Sequence, residues 1–294
     1  MMGKSVTLTI ISNMTSNYGE GLGNIATVQK VFRNGKTYAI RSKESLKNAI
    51  MVESGFYDDL GVSVCKKAAQ KEVSAKKNVA NCRALEGGYM NTSGNTTKRN
   101  SSFYLTDAVS CEEFVNETRF HNNLYVAQKY AKDNGLDLQK KEEKCGLTPY
   151  QYEYDRELKA YSLTIDLDMI GVDENFGTEA DKEEKYARVA ALLDTVQHLS
   201  LIVKGNMDNA EPIFVVGGLV ERKTHYFENV VKVEKSRLVI SDELVSRVEN
   251  GCAAGVMDGV CLENTEEIKE KLHAVSVTSF FGNLKKEVAD YYEV

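Results

Sequence analysis

The dipeptide Asn34-Gly35 is the feature that most restricts how this chain can fold, because it separates two short runs rich in β-branched and aromatic residues. Both central residues of a tight type I′ turn need a positive φ angle, which asparagine and glycine adopt at low cost. The sequence therefore predicts hairpin strands over residues 28–32 and 37–40. A helix is expected directly afterwards, with Ser42 as its cap and an apolar stripe formed by Leu46, Ala49 and Ile50.

The start of this helix has the chemistry of a phosphate site. Ser42 and Ser45 place two hydroxyl groups beside the backbone N–H groups that the first turn of a helix leaves free. Arg41 precedes the cap, and Lys43 and Lys47 lie one turn apart, away from the apolar stripe. This combination suits a nucleic-acid backbone. An ordinary solvated helix face explains the same residues, and the segment alone leaves both interpretations open.

Charge is distributed unevenly along the chain. The 294 residues have a net charge of −6, yet residues 1–100 carry 15 basic against 7 acidic residues, and residues 101–294 carry 22 against 36. Such asymmetry favours a basic surface for an anionic polymer in one half of the protein. It predicts one continuous cationic trough formed by the N-terminal third. The alternative is that the two halves pack together and neutralise each other.

No metal, cofactor or membrane partner is expected. The six cysteines include no Cys-x-x-Cys pair and the four histidines are dispersed, so neither set has the spacing of a zinc site. The apolar runs at 199–203 and 213–216 are far shorter than a membrane span. The first residues lead into a strand and show no secretory pattern, which predicts a cytoplasmic protein with reduced cysteines.

Strand and helix patterns alternate along the chain. Alternating polarity predicts strands at 6–11 and 158–170, and a long helix over 179–204 precedes a fully apolar strand at 212–218. Further patterns predict hairpin strands at 226–233 and 237–240, and helices that start at 242, 265 and 283. This order favours an α+β fold in which helices back an open sheet, and the ferredoxin-like sheet of RNA-recognition modules is one solution.

Residues 56–151 lack strong periodicity and are interpreted as an insertion into that fold. Five lysines within 66–77 indicate a helix in its first part. A region rich in glycine, asparagine, serine and threonine follows from 87 to 102, which is typical of a loop.

No residue set makes a positive case for catalysis. The glycines of 19–24 lack the full dinucleotide fingerprint, and no Gly-Lys-Ser/Thr follows them. Asp166 and Asp168 could hold metals on one strand face, although the solvent-facing half of an amphipathic strand explains them as well. Asp58 and Asp59 could supply acid–base chemistry for RNA cleavage, but adjacent loop carboxylates are usually solvated. No catalytic residue is therefore predicted.

Five segments, in the correct order, resemble the DevR-type CRISPR-associated autoregulator family, the guide-RNA-binding backbone subunit of type I-B Cascade surveillance complexes. In the signature at 86–90 a glycine stands where the family has phenylalanine, and no motif from residue 241 onward matches. The segments are the opening strand and hairpin that lead into residues 40–50, the signature at 86–90, the Lys-Arg strand at 98–105, the long strand at 161–171, and the apolar strand at 212–218 with residues 227–229 after it.

The resemblance implies an α+β fold with an RNA-recognition-like (ferredoxin-like) palm formed by residues 1–55 and 152–294. It implies a finger insertion at 56–151 and a thumb hairpin at 219–240. It also implies a subunit without enzymatic activity, whose copies line up head to tail along one CRISPR RNA that pairs with target DNA. The other Cascade subunits are then further partners.

The residues expected to bind RNA lie in four places. For Arg222 and Lys223, a strand edge guarded by charge is a comparable explanation. The expected residues are Gly23 and Asn24 in the glycine turn, Arg41, Ser42, Lys43, Ser45 and Lys47 at the helix, Lys76, Lys77, Tyr89, Met90, Lys98 and Arg99 in the insertion, and Arg222 and Lys223 in the thumb.

Two other functions stay open on the sequence alone. One is an RNA-guided endoribonuclease that uses Asp58 or Asp59, as the target-cutting relatives in type III complexes use a loop aspartate. The other is a small-molecule-binding regulatory domain, which the autoregulator label of the family would suit.

Overall fold

The computed structural model describes residues 3–19, 25–65, 67–92, 96–140, 142–259 and 261–294. Within those ranges the chain forms six α-helices: α1 (Lys43–Glu53), α2 (Leu124–Asp133), α3 (Lys182–Gln197), α4 (Asp242–Glu249), α5 (Thr265–Leu272) and α6 (Val277–Tyr292). In the same ranges the strands are β1 (Ser5–Thr15), β2 (Ile25–Ala26), β3 (Lys30–Arg33), β4 (Lys36–Arg41), β5 (Val62–Cys65), β6 (Ala68–Lys71), β7 (Tyr89–Asn91), β8 (Thr97–Arg99), β9 (Phe103–Leu105), β10 (Ala108–Ser110), β11 (Glu117–Asn122), β12 (Pro149–Tyr154), β13 (Arg156–Asp166), β14 (Val172–Asp173), β15 (Thr178–Glu179), β16 (Ser200–Val203), β17 (Asn206–Asn209), β18 (Pro212–Val220), β19 (Val233–Glu234), β20 (Arg237–Leu238), β21 (Ala253–Val256) and β22 (Val275–Ser276). None of the helices in the described ranges has the length and apolar character that crossing a bilayer requires.

The three longest strands form the centre of the fold. β1 pairs antiparallel with β13 on one side and with β18 on the other. Over the described residues the sheet has nine strands in the order β22-β21-β18-β1-β13-β10-β4-β3, with β9 also paired to β13. Alternation along β1 directs Leu8 to one face of the sheet and Thr9 to the other. The strands predicted at 6–11 and 212–218 are thus confirmed, whereas the strand predicted at 158–170 ends earlier, at Asp166.

Each face of the sheet has its own core. On the first face, Leu8 belongs to a buried cluster with residues of α1, α3 and α6, such as Leu192 of α3. On the second face, Ile11 belongs to a cluster that contains Leu244 of α4 and Ile268 of α5. This mixed arrangement of sheets and helices agrees with the expected α+β class.

The N-terminal hairpin and its helix form as the sequence predicts. Asn34 and Gly35 have φ angles of 51° and 77°, and they join β3 to β4. Ser42 is the N-cap of α1, because its side chain accepts a hydrogen bond from the backbone N–H of Ser45 at 3.3 Å. Leu46 and Ile50 of α1 are fully buried.

Several predictions of local structure are wrong, including the helix start expected at 283, which lies at Val277. Instead of a helix over 66–77, the hairpin β5–β6 forms, because Val62–Cys65 pairs with Ala68–Lys71; Lys66 itself lies outside the described residues. The hairpin expected over 226–240 is reduced to the two-residue strands β19 and β20. The helix expected over 179–204 ends at Gln197, since the residues from Ser200 onward pair in the β16–β17 hairpin.

Residues 56–151 contribute to the central sheet as well as to smaller sheets outside it. β9 and β10 both pair with β13, whereas β5–β6, β7–β8 and β11–β12 form separate small sheets. The boundaries expected for the insertion therefore enclose two strands of the main sheet. Three-residue strands carry too little periodicity to be recognised from sequence.

Candidate nucleic-acid interface

Two side chains of the protein already accept hydrogen bonds from backbone N–H groups at the start of α1. Asn17 Oδ1 accepts the backbone N–H of Ser42 at 2.7 Å, and Asp107 Oδ1 accepts that of Lys43 at 2.8 Å. Fewer N–H groups are therefore free than the sequence predicts. Because Asp107 also places a negative charge at the positive end of the helix dipole, a phosphate near this point has to be held mainly by side chains.

A cleft of about 390 Å³ opens beside this helix start, on the second face of the sheet. Its floor contains Thr9 of β1 and Ser162 of β13, whose hydroxyl oxygens lie 2.7 Å apart. Its walls come from the turn between β9 and β10 and from Glu228 and Val231. The cleft thus places hydroxyl groups of the two central strands between the N-terminal hairpin and the segment after β18.

Two cations stand at the rim of this cleft, Arg33 at the end of β3 and Lys43 at the start of α1. Both residues are exposed, and Lys43 has an ion pair with Glu44 at 3.7 Å. Asp107 and Glu228 line the cleft as well, so its formal charges balance. A guanidinium and an ammonium group above a hydroxyl floor can hold a sugar–phosphate chain through charge and hydrogen bonds.

Lys47 does not join Lys43 at the cleft. Its ammonium group donates to the carbonyl oxygen of Gly87 at 2.9 Å and to Ser101 Oγ at 2.8 Å, and it lies 4.9 Å from the ring centroid of Phe103. Burial, followed by the nearby Lys71 ammonium group, lowers the pKa of Lys47 to about 8. These contacts tie α1 to the segment that carries the signature at 86–90.

Arg41 lies inside the fold rather than on its surface. Only 5% of the residue is exposed, and its guanidinium donates to the carbonyl oxygen of Thr15 at 3.4 Å. Burial lowers the pKa of Arg41, against the opposing effect of the Asp208 carboxylate. In this conformation Arg41 is not accessible to a bound RNA.

Arg99 belongs to a buried ionic network centred on Glu86. The Glu86 carboxylate is fully buried and lies 2.8 Å from Arg188 Nη1 and 3.4 Å from Arg99 Nη2. Arg99 also donates to Ser102 Oγ at 2.8 Å and to the carbonyl oxygen of Val172 at 2.9 Å. With these partners, Arg99 anchors the insertion to α3 and to the loop after β13.

Tyr89, in the same signature, is likewise engaged inside the protein. Its hydroxyl donates to the Asp173 carboxylate at 2.9 Å and accepts from Asn175 Nδ2 at 2.9 Å. Burial and the hydrogen bond with Asp173 raise the pKa of Tyr89 to about 12. The neighbouring Met90 points outward instead, with 60% of its surface exposed.

The lysines expected in the insertion are separated from one another. Lys76 is exposed, whereas Lys77 donates to the carbonyl oxygen of Asp59 at 2.7 Å. Lys98 is exposed and lines a different cavity of about 360 Å³, together with Glu174 and Asn175. The insertion therefore offers scattered cations rather than one basic run.

The two cations expected in the thumb have intramolecular partners. Lys223 Nζ lies 2.8 Å from Asp166 and 2.9 Å from Asp168. Although burial opposes the change, these two carboxylates raise the pKa of Lys223. The Arg222 guanidinium carbon lies 5.5 Å from the ring centroid of Tyr226 and stays exposed.

Three of the four carboxylates considered for catalysis, Asp59, Asp166 and Asp168, have structural contacts. Asp166 and Asp168 both bind the Lys223 ammonium group, and Asp168 lies in the turn after β13 rather than on the strand. Asp59 accepts the backbone N–H groups of Arg83 at 3.2 Å and Ala84 at 3.3 Å, so it caps the turn that follows. Among the described residues, no group of three or more His, Cys, Asp or Glu side chains could hold a metal ion.

The prediction of one continuous cationic trough is therefore wrong, and a smaller candidate interface takes its place. Many of the described cations in residues 1–100 bind partners within the protein, because tertiary contacts bring acceptors to them; examples are Lys30, Arg41, Lys47, Lys71, Lys77, Arg83 and Arg99. Gly23 and Asn24 lie outside the described residues. Of the expected residues, Ser42, Lys43 and Ser45 stay together at the helix start beside the cleft.

Sequence reasoning missed Arg33 and the hydroxyl floor of the cleft. Arg33 directly precedes the Asn34-Gly35 turn, and that position at the end of a hairpin strand was available as a signal. Thr9 and Ser162 each occupy one polar position in a strand of alternating polarity. Nothing local indicates that β1 and β13 place them opposite each other, which the register shows directly.

Several solved structures resemble the fold of this chain. One of them, "CRISPR RNA-guided surveillance complex, pre-nicking", has 12% identity and a TM-score of 0.62, covering 97% of this chain and 99% of the other. A second, "CRISPR RNA-guided surveillance complex", has 16% identity and a TM-score of 0.56, covering 98% and 99%. No curated protein matches the sequence.

The family model described as "CRISPR-associated negative auto-regulator DevR/Csa2" matches residues 6–242, which include the central strands, the cleft and the buried Glu86 network. The chain therefore belongs to the CRISPR-associated DevR/Csa2 family.

Proposed function

We propose that this chain is a non-catalytic, guide-RNA-binding scaffold subunit of a type I CRISPR surveillance complex. The observation that carries the proposal is the family match over 6–242, because that range contains the whole cleft beneath Arg33 and Lys43. The likeness of the fold to subunits of two RNA-guided surveillance complexes supports the same role.

In this proposal the central sheet is the RNA-recognition-like palm. Residues 219–240 act as the thumb and the small sheets of 56–151 act as fingers. Arg33 and Lys43 hold phosphates of the guide at the rim of the cleft, and Thr9 and Ser162 provide its polar floor. Phosphate contacts of this kind fix position without reading sequence, which leaves the bases of the guide free to pair with target DNA.

Several copies line up head to tail along one guide, because a heterologous contact that does not close produces an extended filament. The exposed cations outside the cleft, Lys76, Lys98 and Arg222, are available to the same RNA or to neighbouring subunits. Such an assembly also provides antiviral defence in the cytoplasm, with other Cascade subunits as partners.

An endoribonuclease is the weaker alternative. Asp59 already accepts two backbone N–H groups, so its carboxylate serves the turn at 83–84. Asp58→Ala and Asp59→Ala variants test the point directly. Guide-dependent cleavage of complementary RNA that disappears in either variant would replace the scaffold proposal.

The cleft is tested by the salt dependence of RNA binding. Fluorescence anisotropy of a labelled 30-nucleotide guide RNA should show that Arg33→Ala/Lys43→Ala binds every guide sequence more weakly than the wild type does. The slope of log K against log salt concentration should fall in magnitude by about 1.4, because two contacts to single-strand phosphates are lost. Arg156→Ala/Lys286→Ala removes the same charge at two other exposed positions and should keep the wild-type slope. Equal slopes for both double variants would exclude the cleft.

A further inference from the structure

A column of aromatic rings lies on one face of the small sheet formed by β11 and β12. In the register of this antiparallel pair, His121 lies opposite Tyr150 and Arg119 lies opposite Tyr152. Tyr154 follows two positions later on β12 and therefore shares that face. Three tyrosines, one histidine and one arginine are thus placed together, outside the cleft described above.

The rings are stacked rather than merely adjacent. The His121 ring lies 4.7 Å from Tyr152 at an interplanar angle of 6°, and 5.5 Å from Tyr150 at 17°. Tyr18 meets Tyr152 edge-on at 6.0 Å. The end of the column is open, because 44% of Tyr150 is exposed. A flat ring placed against Tyr150 would extend the stack.

Two cations accompany the column. The Arg119 guanidinium lies 3.4 Å from the ring centroid of Tyr154, and Lys204 Nζ lies 5.1 Å from that of Tyr18. Arg119 is also 3.3 Å from Glu117, and both side chains are largely exposed, so this pair is weak and screened. Aromatic rings with cations beside them are the arrangement that binds single-stranded nucleic acid without sequence preference.

We propose that this column, formed by Tyr150, His121 and Tyr152 with Arg119 and Lys204 nearby, is a base-stacking site for single-stranded DNA. The choice of DNA rests on the proposed function: a guide RNA has to keep its bases free for pairing, whereas the strand displaced from the duplex has unpaired bases of every sequence. Stacking suits that strand, because every base has a π-face. The two cations complement its phosphates.

The test titrates the guide-loaded full chain with a fluorescein-labelled 12-nucleotide oligo-dT and measures anisotropy. Tyr150→Leu/Tyr152→Leu keeps apolar bulk but removes the rings, and it should bind this DNA roughly tenfold more weakly, within the range reported for losing one stacked base. Tyr150→Phe/Tyr152→Phe keeps the rings and should stay within about twofold of wild type. Guide-RNA affinity should be the same for all three proteins.

A second measurement protects the test against misfolding of the leucine variant. A single-stranded DNA that contains 2-aminopurine should lose fluorescence on binding the wild type, because the base stacks on a ring. Binding without this loss, or equal DNA affinity for the leucine variant and wild type, would overturn the proposal. The proposal would also be overturned if the folded leucine variant lost affinity for guide RNA and for DNA to the same extent. Failure of the proposed function is seen separately, as a wild type that binds no guide RNA.

Discussion

Replacing Glu86 by alanine should cost more stability than replacing any exposed carboxylate of the protein. Glu86 is fully buried, lies 2.8 Å from Arg188, and accepts the backbone N–H of Gly171 at 2.7 Å. Removal of one partner from a buried ion pair leaves an uncompensated charge and costs about 3–5 kcal/mol. Because Arg188 keeps a second carboxylate, Glu184, at 2.8 Å, we expect about 3 kcal/mol.

The assay is urea unfolding followed by far-UV circular dichroism, since the chain contains no tryptophan. Glu184→Ala provides the matched control, because Glu184 also binds Arg188 but has a side chain that is 29% exposed. The control should lose about 2 kcal/mol, because Glu184 gives up hydrogen bonds to two guanidinium groups, Arg83 and Arg188, at a position that water reaches. A loss below about 1 kcal/mol for Glu86→Ala, or equal losses in both variants, would refute the claim that this carboxylate neutralises a buried cation network.

Two further predictions concern the backbone and pH. Gly217→Ala should destabilise the protein by about 3 kcal/mol in thermal or urea unfolding, because the added Cβ would lie 1.9 Å from the Thr7 carbonyl oxygen. Gly282→Ala is the control and should not destabilise the protein, because its Cβ would have no neighbour within 4 Å. Arg83, aided by Arg188, lowers the pKa of Glu184 from 4.5 to about 2. The ionised Glu184 therefore contributes stability above pH 4.5, and this contribution is lost as the pH falls towards 2. In a plot of urea midpoint against pH, Glu184→Gln should flatten the profile between these values. A profile identical to that of the wild type would contradict the prediction.

Local signals were enough to predict the elements that lie under the cleft. Asn34-Gly35 specifies a turn with two positive φ angles, and Ser42 followed by apolar residues at helical spacing specifies α1. The long strands β1, β13 and β18 are recognisable because each alternates or is apolar over many residues. The helix predicted over 66–77 was wrong, because lysines at helical spacing are also compatible with the exposed hairpin β5–β6.

The site itself was only partly predictable. Lys43 and Lys47 look equivalent in sequence, yet Lys43 stands at the cleft and Lys47 donates to Gly87 and Ser101. The difference depends on contacts between residues 40 and 54 positions apart along the chain, which local patterns do not contain. For the same reason Arg99 was expected to bind RNA, although a buried Glu86 carboxylate lies beside it.

The central claim is that the chain binds guide RNA as a scaffold subunit, and the most direct test is to identify the nucleic acid that copurifies with it. The chain should be co-expressed with its CRISPR array and sister subunits, purified, and its bound RNA extracted and sequenced. We expect one guide of repeat and spacer sequence shared by several copies of the chain. A purified assembly free of RNA at low salt, or one with RNA unrelated to the array, would contradict the account.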